Sequence, residues 1–145
     1  MNRLIYVVLL AMTLGLAACG GGKIVLHAQP LDSGDVHVQP LDIYYGGKKL
    51  WVRLSVTNTS KGTLIVQRDA VVAHLPNGQT VSRAMGTYGL HEPYVIPQGG
   101  MHLVYVEFEE AGFHWKDIPS AQVDFANAIT KDGQPVAVPP FAVSQ

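Results

Sequence analysis

The chain has 145 residues, with 10 Lys and Arg against 11 Asp and Glu and a formal net charge of −1. A nucleic-acid-binding protein usually carries a basic stripe or clustered Lys and Arg. The densest basic feature here is the pair Lys48-Lys49, so the composition argues against nucleic acid as a partner. Because there is one cysteine, no intramolecular disulfide can form, and packing has to hold the fold.

The N-terminal segment has the pattern of a secretory signal peptide. Arg3 supplies a positive charge, residues 4–16 form an apolar run, and the small residues Ala17 and Ala18 precede Cys19. A membrane-spanning helix needs about 20 apolar residues. The run has 13 and is followed by three glycines at 20–22, which continue a helix only at a cost. Length and composition therefore favour a cleaved signal over a membrane span.

The four residues Leu16-Ala17-Ala18-Cys19 resemble the lipobox of bacterial lipoproteins. The resemblance implies that the Cys19 thiol receives a diacylglyceryl group, that signal peptidase II cuts before Cys19, and that the new N-terminus is acylated. In enteric bacteria, an aspartate directly after the cysteine resembles an inner-membrane retention signal. Gly20 occupies that place. The resemblance therefore implies a lipid anchor in the cell outer membrane, with the domain facing the periplasm.

Removal of an 18-residue signal leaves 127 residues, which suits one domain with its own core. The three glycines after Cys19 predict a short flexible tether. We therefore expect a signal peptide at residues 1–18, the lipidated cysteine and tether at 19–34, and one folded domain at 35–145.

The folded part is predicted to consist of strands. In residues 49–57, Leu50, Val52, Leu54 and Val56 alternate with polar or aromatic residues, which is the period of a half-buried strand. Residues 101–109 alternate in the same way, with Val104, Val106 and Phe108 directed inward. Further strands are predicted at 63–66, 69–75, 80–84, 94–96, 121–129 and 135–138.

Two turn signals separate these strands. Asn77-Gly78 and Asp132-Gly133 are strong hairpin signals, because both central residues of a type I′ turn need positive φ. No stretch shows sustained helical periodicity with caps. The pattern predicts an all-β protein, an antiparallel immunoglobulin-like β-sandwich of about seven strands. It is similar to the Ig-like domains of many uncharacterised bacterial lipoproteins, but it lacks the Cys…Trp…Cys core of antibody domains.

One candidate site is a metal centre. His91 and the pair Met101-His102 flank a loop that runs from Gly86 to Gly100, and Met and His together suit copper in an oxidising compartment. The alternative is that these are ordinary surface side chains, which we favour because neither a compact ligand set nor a geometry is evident. We therefore expect no cofactor.

A second candidate is an aromatic patch for a protein partner, formed by Trp51, Tyr88, Tyr94 and Trp115. Tyr and Trp offer large contact areas with a polar group, and loops at the ends of a sandwich often carry binding residues. The alternation places Trp51 on the outer face of its strand. For Trp115, packing over the rim of the core is an equally good interpretation.

Catalysis is the least supported class. Glu107 and Glu109 share a strand face, but charges there more often protect a sheet edge from pairing. The chain has no Gly-x-Ser-x-Gly motif and no phosphate loop. We expect a non-enzymatic outer-membrane lipoprotein that binds or scaffolds a protein partner in the cell envelope. Alternatives are a periplasmic copper carrier and a small component of a secretion or envelope machine.

Overall fold

A computed structural model describes residues 24–82, 92–125 and 127–145 of the chain. These residues form strands and two short 3-10 helices, Arg68–Ala70 and Trp115–Asp117. Within the described ranges, no helix is long and apolar enough to cross a bilayer. The strands are β1 (Ile24–Leu26), β2 (Leu31–Asp32), β3 (Val36–Gly46), β4 (Lys49–Asn58), β5 (Leu64–Val66), β6 (Val72–His74), β7 (Thr80–Ser82), β8 (Tyr94–Ile96), β9 (Met101–Glu109), β10 (Ser120–Asp124), β11 (Ile129–Lys131), β12 (Gln134–Pro135) and β13 (Phe141–Ser144).

The longest strands, β3, β4 and β9, belong to sheet A, whose order is β1-β3-β4-β9 with β2 also paired to β3. All of these pairs are antiparallel. β3 and β4 form a hairpin whose turn residues Gly47 and Lys48 have φ of 58° and 64°. Positive φ at both central positions is the mark of a type I′ turn, whose twist matches the flanking strands. Glycine adopts this conformation readily, whereas lysine does so at a cost.

An irregularity in β3 explains how the N-terminal strands are arranged. The β3–β4 register shifts between Pro40 and Asp42, at a β-bulge. Proline has no backbone N–H to donate and is tolerated in strands mainly at edges and bulges. β1 pairs with residues 43–45 of β3 and β2 with residues 37–38, so the two short strands lie on either side of the bulge. Between them, His27 leaves this sheet and forms an isolated bridge to Ser144 of β13.

The remaining strands form two four-stranded sheets. Sheet B has the order β13-β10-β6-β7, and sheet C has the order β12-β11-β5-β8. The predicted hairpins at Asn77-Gly78 and Asp132-Gly133 are both confirmed. Asp132 and Gly133 have φ of 50° and 81°, as a type I′ turn requires. The turn at Asn77 differs, because Pro76 fixes a negative φ before it and only Gly78 is left-handed, with φ of 85°.

The inward side chains of all three sheets form one continuous hydrophobic cluster. The alternation predicted for β4 and β9 is confirmed, because Leu50, Leu54, Val104 and Phe108 are at most 1% exposed. At about 25 cal/mol per Å² of buried apolar surface, such a cluster supplies the main stabilising term. The described part of the chain is therefore all-β with antiparallel sheets, an arrangement consistent with a β-sandwich.

Three details of the prediction were wrong. Sheet A begins at Ile24 and not at residue 35, because β1 and β2 pair with β3. The described residues contain thirteen strands and not about seven. The strand predicted at 121–129 is two strands in different sheets, because the chain turns after Phe125, where the Ala128 N–H donates to the Phe125 carbonyl.

Candidate binding surface

β9 lies at one end of the strand order of sheet A. Its only strand partner among the described residues is β4. Such an edge presents unpaired N–H and C=O groups that can pair with another chain. Proteins commonly protect an edge of this kind with charge, proline or a covering segment. The first five residues of β9 carry neither a full charge nor a proline.

Three apolar side chains project from the outer face of this edge strand. Met101, Leu103 and Tyr105 are 58%, 38% and 47% exposed, and we call them the β9 patch. Because side chains in a strand alternate between faces, the three lie in line over about 13 Å. Isolated exposed apolar residues are normal, whereas a continuous row is typical of an interaction site.

The neighbouring strand frames the β9 patch with polar side chains. Thr57, Ser55 and Arg53 of β4 stand opposite Met101, Leu103 and Tyr105 in turn. The Arg53 guanidinium forms an ion pair with the Asp42 carboxylate of β3. Beside the β9 patch, the outer face of sheet A therefore changes from apolar at the free edge to polar on β4, as the core and rim of an interface do.

A buried asparagine holds the start of β9 in place. The Asn58 side chain is fully buried and donates through Nδ2 to the carbonyl oxygens of Gly62 and Ile96, at 2.8 and 2.9 Å. Its Oδ1 accepts from the N–H and the hydroxyl of Ser60, at 2.9 and 2.6 Å. The Asn58 backbone N–H also donates to the carbonyl of Gly100, the residue before β9. Asn58 thus ties the end of β4 to the turn from which β9 emerges.

The structure separates the proposed metal ligands. Met101 and His102 are consecutive residues of one strand, so their side chains point to opposite faces of sheet A and cannot share one ion. His102 stacks against Tyr94, with 4.1 Å between ring centroids, and its Nδ1 lies 2.9 Å from the Leu103 carbonyl oxygen. His91 lies outside the described residues. Within the described ranges, no three His, Cys, Asp or Glu side chains are grouped as a metal site requires.

The predicted aromatic patch is not assembled either. Trp115 is 4% exposed, its Nε1–H donates to the Phe108 carbonyl at 2.9 Å, and its ring packs edge-on against Phe113. Of the two interpretations of Trp115, the structure agrees with packing against the core, because this indole is buried and is not available as a contact residue. Tyr88 lies outside the described residues.

Trp51 and Tyr94 do not lie together. Trp51 is on the outer face as predicted, and its ring centroid is 6.0 Å from that of Tyr44. Tyr94 stacks on His102, which is paired with Val56 of β4. Because Val56 lies five residues after Trp51 on β4, the two aromatic groups are about 17 Å apart along the strand.

The acidic residues at the end of β9 have structural partners. Lys49 Nζ lies 2.8 Å from Glu107 and 3.4 Å from Glu109, and its hydrogen bond with Glu107 raises the pKa of the lysine. The Glu110 carboxylate turns inward and accepts from the Trp115 backbone N–H and from His114 Nδ1. Burial alone would raise the pKa of Glu110, but these hydrogen bonds hold it below its ordinary value.

Sequence reasoning missed Leu103 and Tyr105 as surface residues of interest. Alternation places both on the outward face of β9, because Val104 and Val106 are directed inward. The signal was present, because a strand with one solvated face normally alternates apolar with polar residues. In residues 101–106, both faces are largely apolar.

The fold is similar to those of several solved structures. The yjhA protein from Bacillus subtilis is similar over 72% of this chain and 83% of its own, with a TM-score of 0.54 and 9% sequence identity. A functionally unknown protein from Listeria monocytogenes EGD-e is similar over 84% of this chain and 88% of its own, with a TM-score of 0.54 and 14% identity. No protein-family model matches the chain, and no curated protein is significantly similar to it.

Proposed function

We propose that the chain is a non-enzymatic outer-membrane lipoprotein, anchored through lipid on Cys19, whose Ig-like sandwich domain binds a protein partner of the cell envelope. The lipobox resemblance at residues 16–19 supports the anchor. The antiparallel sheets around one core support the sandwich. The β9 patch supports binding, and it takes the place of the aromatic patch predicted from the sequence.

The observation that carries the proposal is the exposure of Met101, Leu103 and Tyr105 on a strand at the edge of sheet A. An extended peptide can add to such an edge as a further strand. Main-chain hydrogen bonds then supply affinity, and contacts with alternate side chains supply selectivity. The partner segment is therefore extended, with apolar side chains on the face that meets the β9 patch.

Site-specific crosslinking in living cells tests the binding surface. We expect a photoreactive phenylalanine at position 105 to give one protein adduct of defined mass. The same substitution at Tyr44, a tyrosine on the same sheet face but on β3, is the matched control and gives no such adduct. Leu103→Asp is expected to abolish the adduct, because a carboxylate at the apolar contact loses its water without gaining a partner.

The binding proposal fails if the adduct forms equally from position 44, or if it survives Leu103→Asp. Because Leu103 is 38% exposed, this substitution is expected to leave the thermal midpoint within about 2 °C of the wild type. A loss of the adduct at unchanged midpoint is therefore due to the surface and not to unfolding.

The anchor is tested separately with Cys19→Ala. We expect the wild-type chain to incorporate labelled palmitate and to have an intact mass that begins at Cys19 with its acyl groups. The variant is expected to incorporate none and to keep its precursor length. Equal incorporation by both proteins would refute the lipid site.

A further inference from the structure

The distance between the anchor and the fold is short. Four residues, 20–23, separate Cys19 from Ile24, the first residue of β1. A fully extended chain spans at most about 3.5 Å per residue, so Ile24 lies within about 17 Å of the Cys19 backbone. Granted the proposed lipid on Cys19, the start of β1 is held near the headgroup layer.

The start of β1 lies beside the β3–β4 hairpin. Ile24 is paired with Tyr45, and Tyr45 with Leu50, so β1 begins one residue pair from the turn. Lys48 stands exposed at the tip of that turn with φ of 64°. A non-glycine residue rarely adopts this conformation, and such a residue is often retained at a functional position. We use the name "anchor end" for the hairpin tip, Gly47-Lys48, together with the adjoining row of Val25, Tyr44 and Trp51.

An apolar row crosses the outer face of sheet A at the anchor end. Val25 is paired with Tyr44, and Tyr44 with Trp51. Val25 is 57% exposed, and the two aromatic rings are nearly parallel, at 14°. The row spans three strands, or about 10 Å. Trp and Tyr are the side chains enriched where proteins meet the membrane–water interface.

The charges at the anchor end do not oppose contact with a membrane. Glu107 and Glu109 both lie within ion-pair distance of Lys49, and Lys49 Nζ lies 5.5 Å from the centre of the Trp51 ring. Lys48 can extend its aliphatic stem along apolar surface and direct its ammonium to phosphate. Lys48 and Lys49 together match the charge of Glu107 and Glu109, and the row is apolar, so the surface fits zwitterionic phospholipid headgroups and does not require anionic lipid.

We propose that the row Val25–Tyr44–Trp51, together with Lys48, lies against the phospholipid headgroups and orients the domain on the membrane. β4 extends from Lys49 to Asn58, about 30 Å at the rise of a strand. Because the row lies at the hairpin end of the sheet, contact through that end directs the opposite end, which carries Asn58 and Met101, away from the bilayer. In this orientation the first residue of the β9 patch is accessible to a partner that approaches from the periplasm. The inference rests on the proposed anchor at Cys19.

The chain offers a matched pair of reporter positions. Val25 is 57% exposed at the anchor end, and Val95 is 59% exposed on β8, next to Ile96, whose carbonyl accepts from Asn58. Because acylation consumes the Cys19 thiol, Val25→Cys or Val95→Cys provides the one reactive thiol of the mature lipoprotein. Each is labelled with a fluorophore and reconstituted in vesicles of phosphatidylethanolamine and phosphatidylcholine containing a lipid with a nitroxide on its headgroup.

We expect the fluorophore at position 25 to be quenched at least threefold more strongly than that at position 95. A tether lengthened by twelve Gly and Ser residues after Gly22 distinguishes contact from mere proximity. If the surface itself binds headgroups, the difference persists with the long tether. The difference in quenching then disappears when Lys48→Ser and Trp51→Ser are combined in the protein with the long tether.

Equal quenching at positions 25 and 95, or loss of the difference with the long tether alone, would overturn the inference. Flotation of the same vesicles reports on the anchor independently. Protein that fails to float refutes the lipid on Cys19 and with it this inference. Protein that floats with equal quenching refutes only the membrane-contact surface.

Discussion

Asn58→Ala is expected to be among the most damaging single substitutions in the domain. The change removes four side-chain hydrogen bonds. Two of the groups left behind, the Ile96 carbonyl and the Ser60 N–H, belong to residues that are 1% and 4% exposed. Each buried polar group without a partner costs about 1–3 kcal/mol. We therefore expect a loss of about 3–4 kcal/mol, a large part of the total stability of a typical domain.

Urea denaturation measures this loss. With a slope of about 2 kcal/mol per M, the midpoint falls by about 1.5–2 M. Asn77→Ala is the matched control, because Asn77 is exposed and its Oδ1 accepts from the Gln79 N–H in a surface turn. Its expected cost is below about 1 kcal/mol. If Asn58→Ala shifts the midpoint no further than Asn77→Ala, the polar network does not hold the start of β9 and the reasoning is wrong.

Three other outcomes are expected. Gly100→Ala places a Cβ 2.9 Å from a backbone carbonyl oxygen and should lose about 1–3 kcal/mol in urea denaturation, whereas Gly46→Ala meets its nearest atom at 3.7 Å and should be nearly neutral. The folded-state pKa of Glu110 is below the ordinary 4.5, so its ionised carboxylate stabilises the fold above pH 4.5, and this stabilisation is lost as the pH falls through the folded-state pKa. In this acidic range the free energy of unfolding of Glu110→Gln should therefore change less with pH than that of the wild type or of Glu92→Gln. Trp115→Phe removes a buried hydrogen bond to the Phe108 carbonyl and reduces the volume of a core side chain, so it should lower the free energy of unfolding by about 2 kcal/mol, and a loss below about 0.5 kcal/mol would contradict its place in the core.

Strands with one regular inner face were predictable from the sequence. Residues 49–58 and 101–109 alternate without interruption, and both are strands with the predicted faces. β3 was not predicted, although it is the longest strand, because Pro40 lies inside it and a proline argues against a strand. The bulge accommodates the proline, and the bulge is visible only from the pairing of β3 with its neighbouring strands.

The candidate site was less predictable, because it depends on long-range pairing. That β9 is at an edge follows from the order β1-β3-β4-β9, which no local pattern encodes. The burial of Trp115 depends on a hydrogen bond to Phe108, seven residues earlier and across a loop. Alternation correctly predicted the outward direction of Trp51 and the inward direction of Val104, but it could not show which outer side chains adjoin.

The order of sheet A also has a mechanical consequence. The first strand of sheet A, β1, follows the proposed lipid anchor, and the last, β9, carries the β9 patch. Between them, β3 and β4 are joined by ten residue pairs, and β4 and β9 by nine. Tension between the membrane and a bound partner would pass along the strands and load the hydrogen bonds of each ladder together, in shear. At β1 the ladder has only three residue pairs, and the bridge from His27 to Ser144 fastens the strand to a second sheet just beyond them. Under pulling, β1 would be the first strand to detach, and the sheet behind it would stay intact.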